Sequence, residues 1–185
     1  MTGYDFDKTI YDGNSFVDFY FYCLLRRFYI ALLLPYQALV GLLFVVHIFD
    51  RKMCKQAFHH YLFFVFAKEK LIAGFWQTHL KKMKPWYLAQ KRADDVIVSA
   101  SPEFFLRPAC ELLGVKHLIA TDMDMRTGII KGENCYKYNK VNLFKKMFGE
   151  DVKLKAFYSD AKSDIPMMAL AEKGFFVFGD VIEEY

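Results

Sequence analysis

Two carboxylates stand two residues apart near the start of the chain, in Asp5-Phe6-Asp7-Lys8-Thr9, just after a short apolar stub ending at Tyr4. On a loop leaving a strand such a pair can converge on one reacting group, one carboxylate attacking phosphorus while the other handles a proton. Alone the pair says little, because turns are rich in Asp. A second acidic segment, Ser159-Asp160-Ala161-Lys162-Ser163-Asp164, follows the apolar run Ala156-Phe157-Tyr158. Carboxylates there suit a hard cation such as Mg²⁺, which prefers oxygen ligands. Taken by itself, the segment reads equally well as a solvated turn with Asp164 capping the next helix.

Two further segments carry polar groups at predicted strand or helix ends. In Asp94-Asp95-Val96-Ile97-Val98-Ser99-Ala100-Ser101-Pro102, Ser99 falls at a strand end. Ser101 before Pro102 has the pattern of an N-cap with proline at the first helical position. A helix N-terminus beside a hydroxyl can seat phosphate, but capping alone is the preferred reading of Ser101. In Tyr136-Lys137-Tyr138-Asn139-Lys140 a lysine at a helix start could hold phosphoryl oxygens. Lys137 and Lys140 are rivals for that role.

The elements that must position these groups alternate. Strands are expected at the stub ending at Tyr4, at 96–98, at 118–120, at 156–158 and at 175–178, the last after a helix ended by Gly174. Helices are expected at about 102 to 113, 139 to 148 and 164 to 173. Alternation of this kind predicts an α/β fold with a parallel sheet covered on both faces, ligands lying outside the carboxyl ends of the strands. Residues 14–90 break the rhythm and read as several helices without a strand. The expected division is therefore a core of residues 1–13 plus 91–185 and an inserted helical, apolar cap of residues 14–90.

Within that insertion, Phe28 to Phe49 contains no Asp, Glu, Lys or Arg. By length it could span a bilayer. Arg26 and Arg27 on one side and Arg51 and Lys52 on the other give no orientation. A single crossing is disfavoured, since it would separate Asp5 from every later candidate residue. The run then forms a hairpin broken at Pro35, lies in a membrane interface, or packs inside a soluble cap or an oligomer contact. Trp76 and Trp86, with Lys81, Lys82 and Lys84 between them, form either an interfacial belt or an ordinary basic face with a buried Trp.

Bulk properties agree with one domain: 185 residues, 55% hydrophobic, 25% charged, with a high aromatic share of 18%. The net charge of +4 tolerates an anionic substrate or lipid surface but carries no nucleic-acid signature. Cys23, Cys54, Cys110 and Cys135 show neither zinc spacing nor a disulfide framework, which is the usage of a reducing cytoplasm. The N-terminus has no basic and apolar signal pattern. The expected location is cytoplasmic, with the cytoplasmic face of the membrane as an option.

The order of the segments resembles the four motifs of the haloacid dehalogenase superfamily of phosphatases, in the phosphoserine phosphatase-like branch. Asp5, Asp7 and Thr9 match its Asp-x-Asp-x-Thr motif, Ser99 its strand-end hydroxyl, Lys140 its lysine, and Asp160 and Asp164 its acidic motif. Asp124, the Thr127-Gly128 turn and Gly132 to Cys135 also look like that branch. The resemblance implies a Rossmann-like core and an Mg²⁺-dependent phosphomonoester hydrolase in which Asp5 becomes an aspartyl-phosphate and Asp7 is the acid and base. It implies phosphate binding by Ser99, Ala100 and Lys140, and metal binding by Asp5, Asp7, Asp160 and Asp164. The substrate is then a phosphorylated small molecule, either a membrane-associated lipid phosphate or a soluble metabolite. A phosphotransferase and a non-catalytic membrane-surface protein are the remaining readings. Lys8 departs from the glycine many relatives carry, and Ser159 and Ala161 replace flanking glycines.

Overall fold

The computed structural model describes all residues 1–185 and places a six-stranded sheet, in the order β3-β2-β1-β4-β5-β6, at the centre of the molecule. The strands are β1 (Gly3–Tyr4), β2 (Val96–Pro102), β3 (His117–Thr121), β4 (Leu154–Ser159), β5 (Ala171–Phe178) and β6 (Val181–Glu184). The first five are parallel, and β6 returns antiparallel along β5. β1 is only two residues long, yet it is central, pairing with β2 on one side and β4 on the other. Asp95 fixes its start by accepting from the Thr2 N–H at 3.0 Å. Side-chain alternation splits the core between the two faces. Val96, Val98 and Phe157 pack with Phe144 and Met167 on one face, while Ile97 joins the larger cluster on the other.

Between β1 and β2 the chain is helical throughout: α1 (Ser15–Arg26), α2 (Leu34–Val45), α3 (Arg51–Phe58), α4 (Tyr61–Phe64), α5 (Lys68–His79) and α6 (Pro85–Gln90). Asn14 caps α1 through the Val17 N–H, and Asp50 caps α3 through the Met53 N–H. Much of the aromatic content lies where α1 and α5 meet α7 (Glu103–Leu113). Phe19, Phe75, Trp76 and Phe105 pack there with ring centroids 4.9–5.5 Å apart, and Trp76 donates its indole N–H to the Phe105 carbonyl at 2.7 Å. The inserted helices and the sheet thus share one continuous hydrophobic cluster.

After β3, a small hairpin is closed by the Met123–Ile130 bridge. It leads to α8 (Tyr138–Phe148), while α9 (Ile165–Met168) lies between β4 and β5. The helix expected over 164–173 is corrected here: it is one short turn, and β5 begins at Ala171. Residues 169–173 have helix-favouring composition, but parallel pairing of Leu154 with Ala171 and Ala156 with Lys173 overrides it. Gly174 therefore ends no helix. It lies in β5, where a Cβ would meet the Met168 Cβ at 2.9 Å, so the missing side chain lets α9 close on the sheet.

The apolar run is not one regular helix. A 3-10 segment, Phe28–Leu33, precedes α2, and Pro35 sits in the first turn of α2. Phe28–Val45, with mean hydropathy 2.0, is long and apolar enough to cross a membrane by length and composition, yet only 17% of it is buried. Leu25, Phe28 and Leu32 are more than 80% exposed. Of the two readings of the tryptophans and the lysines between them, the one with a buried Trp fits: Trp76 is fully buried, Lys82 pairs with Asp18 at 2.6 Å, and buried Lys84 donates to the carbonyls of Lys8 and Gly179.

Candidate active site

Asp5 leaves the carboxyl end of β1 with its backbone still tied to β4, the Asp5 N–H donating to the Tyr158 carbonyl at 2.9 Å. Asp160 leaves the adjacent end of β4. The two carboxylates flank one hydroxyl, that of fully buried Thr9, which lies 3.3 Å from Asp5 Oδ2 and 3.4 Å from Asp160 Oδ1. The Asp160 N–H donates to the same hydroxyl at 2.9 Å. Thr9 is placed by the tight turn after β1, where Lys8 takes φ 62°, the left-handed region that favours glycine. The Lys8 N–H bonds the Gly13 carbonyl at 2.8 Å, and Lys84 grips the Lys8 carbonyl at 2.9 Å. These bonds hold a turn that lysine disfavours.

The start of α8 decides between the two lysines. Lys140 is buried, its ammonium 2.7 Å from Asp5 Oδ1 and 2.6 Å from Asp164 Oδ2. Lys137 is exposed and lies over the Tyr136 ring. Burial would lower the Lys140 pKa, but Asp5 and Asp164 outweigh it and push it up, so the ammonium stays charged. Asp5 is pushed up to about 7 by burial, against the pull of Lys140. Asp164 faces Lys140 and accepts from Ser159 Oγ at 2.8 Å; its side chain caps no helix.

Asp7 is gripped by two serines. Its Oδ1 accepts from the Ser15 N–H at 2.6 Å and Ser15 Oγ at 2.5 Å, and its Oδ2 accepts from Ser101 Oγ at 2.5 Å. Burial raises the Asp7 pKa while these bonds oppose the rise. This overturns the capping reading of Ser101: α7 begins at Glu103 after Pro102, with no side-chain cap, and the Ser101 hydroxyl is spent on Asp7. Ser99, expected just past a strand over 96–98, lies inside the longer β2, where the pairing with β3 slips between Val98 and Pro102; it is buried and its Oγ accepts from the Ser101 N–H at 3.1 Å. The Ala100 carbonyl accepts from Thr121 Oγ1 at 2.8 Å.

Asp5, Asp7, Ser99, Ala100, Lys140, Asp160 and Asp164 all line one cavity of about 790 Å³. The structure therefore brings these seven residues to one cavity, while Lys137 and Asp124 do not line it. Sequence reasoning missed Ser15, the positioning bond of Ser101, and Lys55 of α3, which reaches into the same cavity. Ser15 lies close to the Asp pair in sequence, but nothing in its type separates it from an ordinary helix-start serine.

The donor set suits a hard divalent cation. Asp5 and Asp160 supply carboxylate oxygens on either side of Thr9, and the Asp160 carboxylate meets Thr9 alone. No three His, Cys, Asp or Glu side chains make a ready-made cage. Two carboxylates of this kind are the protein share of a site for Mg²⁺, which is commonly held by one or two carboxylates together with substrate phosphate and water.

A family model described as haloacid dehalogenase-like hydrolase matches residues 2–169. The chain belongs to the haloacid dehalogenase-like hydrolases. Among curated proteins it is similar to Protein CicA of Caulobacter vibrioides, 39% identical over 94 residues, or 48% of this chain and 42% of the relative. The chain thus matches less than half the length of that relative. A solved structure from Bordetella pertussis Tohama I shares the fold with TM-score 0.73 at 20% identity, covering 94% of this chain and 87% of that one. A probable phosphoserine phosphatase from Vibrio cholerae shares it with TM-score 0.65 at 17% identity, covering 94% and 55%. A phosphoserine phosphohydrolase-like protein from Francisella tularensis has TM-score 0.59 at 16% identity, covering 94% and 84%. At these identities the likeness to the hydrolase is one of fold.

Proposed function

We propose that this hydrolase is a phosphatase that cleaves phosphate monoesters through an aspartyl-phosphate on Asp5. The observation that carries the reading is the Asp5 carboxylate at the end of the central strand, 2.7 Å from the Lys140 ammonium and beside serine-held Asp7. An Asp5 oxygen attacks phosphorus as the ester bond breaks, and Asp7 gives its proton to the departing alcohol. Asp7 then takes a proton from water as the water attacks the acyl phosphate, releasing inorganic phosphate and restoring the Asp5 carboxylate. Ser99, the backbone at Ala100 and Lys140 hold phosphoryl oxygens during both steps. Mg²⁺, bound by Asp5 and Asp160 with the Asp7 carbonyl and support from Asp164, would offset the repulsion between nucleophile and phosphate.

The inserted helices act as a cap over this site in the same reading, and the favoured substrate is a lipid or other membrane-associated phosphate. Val17, Phe21 and Phe44 line the cavity and are also exposed, so the apolar cavity wall continues onto the molecular surface. A single membrane crossing within Phe28–Phe49 is incompatible with Asp5 and Asp160 sharing Thr9, so contact would be interfacial, at the cytoplasmic face. Phosphoserine-like metabolites are the second reading, favoured by the cationic side chains that also line the cavity.

The test is hydrolysis of p-nitrophenyl phosphate by purified protein with and without Mg²⁺. Metal-dependent turnover that vanishes in Asp5→Asn, together with an acid-stable, hydroxylamine-labile phosphoryl group on the wild type, is the expected result. Undiminished turnover in Asp5→Asn would exclude Asp5 as nucleophile. Comparing a phosphorylated lipid in mixed micelles with O-phosphoserine then separates the two substrate classes.

A further inference from the structure

Lys84 is a buried lysine, 5% exposed, on the stretch of chain that returns from the inserted helices to the core. Its backbone is seated by pairing with the loop that follows β1. Met83 bridges Tyr11 in antiparallel fashion, the Asp12 N–H donates to the Lys82 carbonyl at 2.8 Å, and the Lys84 N–H donates to the Ile10 carbonyl at 2.8 Å. Pro85 then starts α6. Lys84 stands at the cap position of that helix, but its side chain makes no capping bond and turns to the loop after β1.

The ammonium is spent on two neutral oxygens, the carbonyls of Lys8, at 2.9 Å, and of Gly179. Lys82, two residues earlier, behaves differently: it is half-buried and meets a carboxylate, Asp18 of α1, at 2.6 Å. Burying an ammonium is costly, and a partner anion is the usual compensation. Packing alone calls for no charge at this point, since the adjacent buried residue, Met83, fills its place with an apolar side chain. What the charge reaches is specific. Lys8 and Gly179 both hold the left-handed conformation, at φ 62° and 61°. One lies in the turn after β1 and the other in the turn joining β5 to β6. β4, whose end carries Asp160, runs between β1 and β5. One side chain thus ties together the turns on either side of the strand that delivers Asp160.

The Lys8 carbonyl shares a rigid peptide plane with the Thr9 nitrogen. Holding that oxygen sets the plane, and the plane sets where the Thr9 side chain starts. The Thr9 hydroxyl is the group that stands between the two carboxylates, 3.3 Å from Asp5 Oδ2 and 3.4 Å from Asp160 Oδ1. We propose that Lys84 is a positioning residue for the reaction, its ammonium fixing the Lys8–Thr9 peptide and, through the Thr9 hydroxyl, the separation of Asp5 and Asp160. Lys84 touches neither substrate nor reacting atoms. The proposal rests on the phosphatase reading for what Asp5 does once it is placed.

Lys84→Met keeps the aliphatic stem and removes both bonds. Turnover of p-nitrophenyl phosphate with Mg²⁺ is measured well below the thermal midpoint of every variant. Misplacing a reacting group slightly is enough to lower kcat by about ten- to a hundredfold, which is the loss expected. KM should stay within about threefold, because Ser99, Ala100 and Lys140 still hold the phosphoryl oxygens. A loss of stability alone would leave the kcat of the folded protein intact. A double-mutant cycle checks the mediator. Thr9→Val removes the hydroxyl and keeps the shape, so in that background Lys84→Met should cost about threefold or less. Hydrogen exchange gives a readout independent of turnover. The amides of Lys8, Ile10 and Tyr11, bonded to the carbonyls of Gly13 and Phe6, should exchange about tenfold faster or more in Lys84→Met, while those of β2 and β3 keep their rates. Should Lys84→Met not fold, Lys84→Gln, whose amide can still donate, takes its place in the same measurements. Wild-type kcat in the Lys84 variant, or an undiminished loss in the Thr9→Val background, overturns the proposal. If the wild type never hydrolyses p-nitrophenyl phosphate, the phosphatase reading fails and exchange decides the clamp: faster exchange confined to the loop supports it, and unchanged exchange refutes it.

Discussion

Lys140 holds two buried carboxylates at once, so its removal leaves Asp5 and Asp164 facing each other without a cation. Breaking a buried ion pair from one side costs about 3–5 kcal/mol. Lys140→Met should therefore lower the unfolding free energy measured in urea by an amount in that range, besides abolishing turnover; an unchanged free energy would show that the cluster is not formed in solution. Asp7→Asn keeps the shape but cannot protonate the leaving group, and should reduce kcat by roughly 10²–10⁴-fold. A leaving group that needs no proton, such as p-nitrophenolate, should suffer least in the first step, so a wider loss with alkyl phosphates is the diagnostic.

At the scale of elements, the pieces that carry the site were legible because two local rules agreed with the tertiary fold. Short β-branched and aromatic runs became parallel strands, and the polar residues just beyond β1 and β4, Asp5 and Asp160, emerged at the carboxyl edge. Where local preference and sheet pairing conflicted, over residues 169–173, pairing won and the helix reading failed. β6 escaped notice because its Val-Ile-Glu-Glu pattern is short and wholly exposed, held by the edge of β5 and not by burial. Ser101 was misread because a hydroxyl before proline has the same sequence whether it caps a helix or bonds a carboxylate 94 residues away. Long-range partners of this kind leave no local trace. The hairpin after β3 gives a test at this scale. Gly128 takes φ 76° and abuts the His59 carbonyl, so Gly128→Ala strains the turn and pushes on α3 together. A cost of about 1–3 kcal/mol is expected from such a position, read as a lower thermal midpoint. Gly114→Ala shares the positive φ but meets nothing within 4 Å. It should cost less, and equal losses in the two variants would argue against the α3 contact.

For the whole molecule, the question is what faces the apolar side of the inserted helices. Leu25, Phe28 and Leu32 are each more than 80% exposed, and Val45, Ile48, Phe63 and Phe66 are each more than 60% exposed. Scattered apolar residues are ordinary on a soluble surface, but a concentration of this kind marks a membrane or partner contact. Arg26, Arg27, Arg51 and Lys52 bracket the run, the charge an anionic lipid surface would attract. Burying one large aliphatic or aromatic side chain is worth roughly 1.5–3 kcal/mol. Replacing two of them with charges should therefore weaken binding by about a hundredfold or more. The variant Phe28→Glu/Leu32→Glu alters no buried contact, so its thermal midpoint and its turnover of p-nitrophenyl phosphate should match the wild type. In sedimentation with vesicles of mixed zwitterionic and anionic phospholipid, the wild type should pellet and the double variant should stay in the supernatant. Turnover of a phosphorylated lipid presented in those vesicles should fall with it. If both proteins remain in the supernatant, the exposed face has another occupant; a dimer seen by light scattering for the wild type and lost in the variant would identify it as a second copy of the chain.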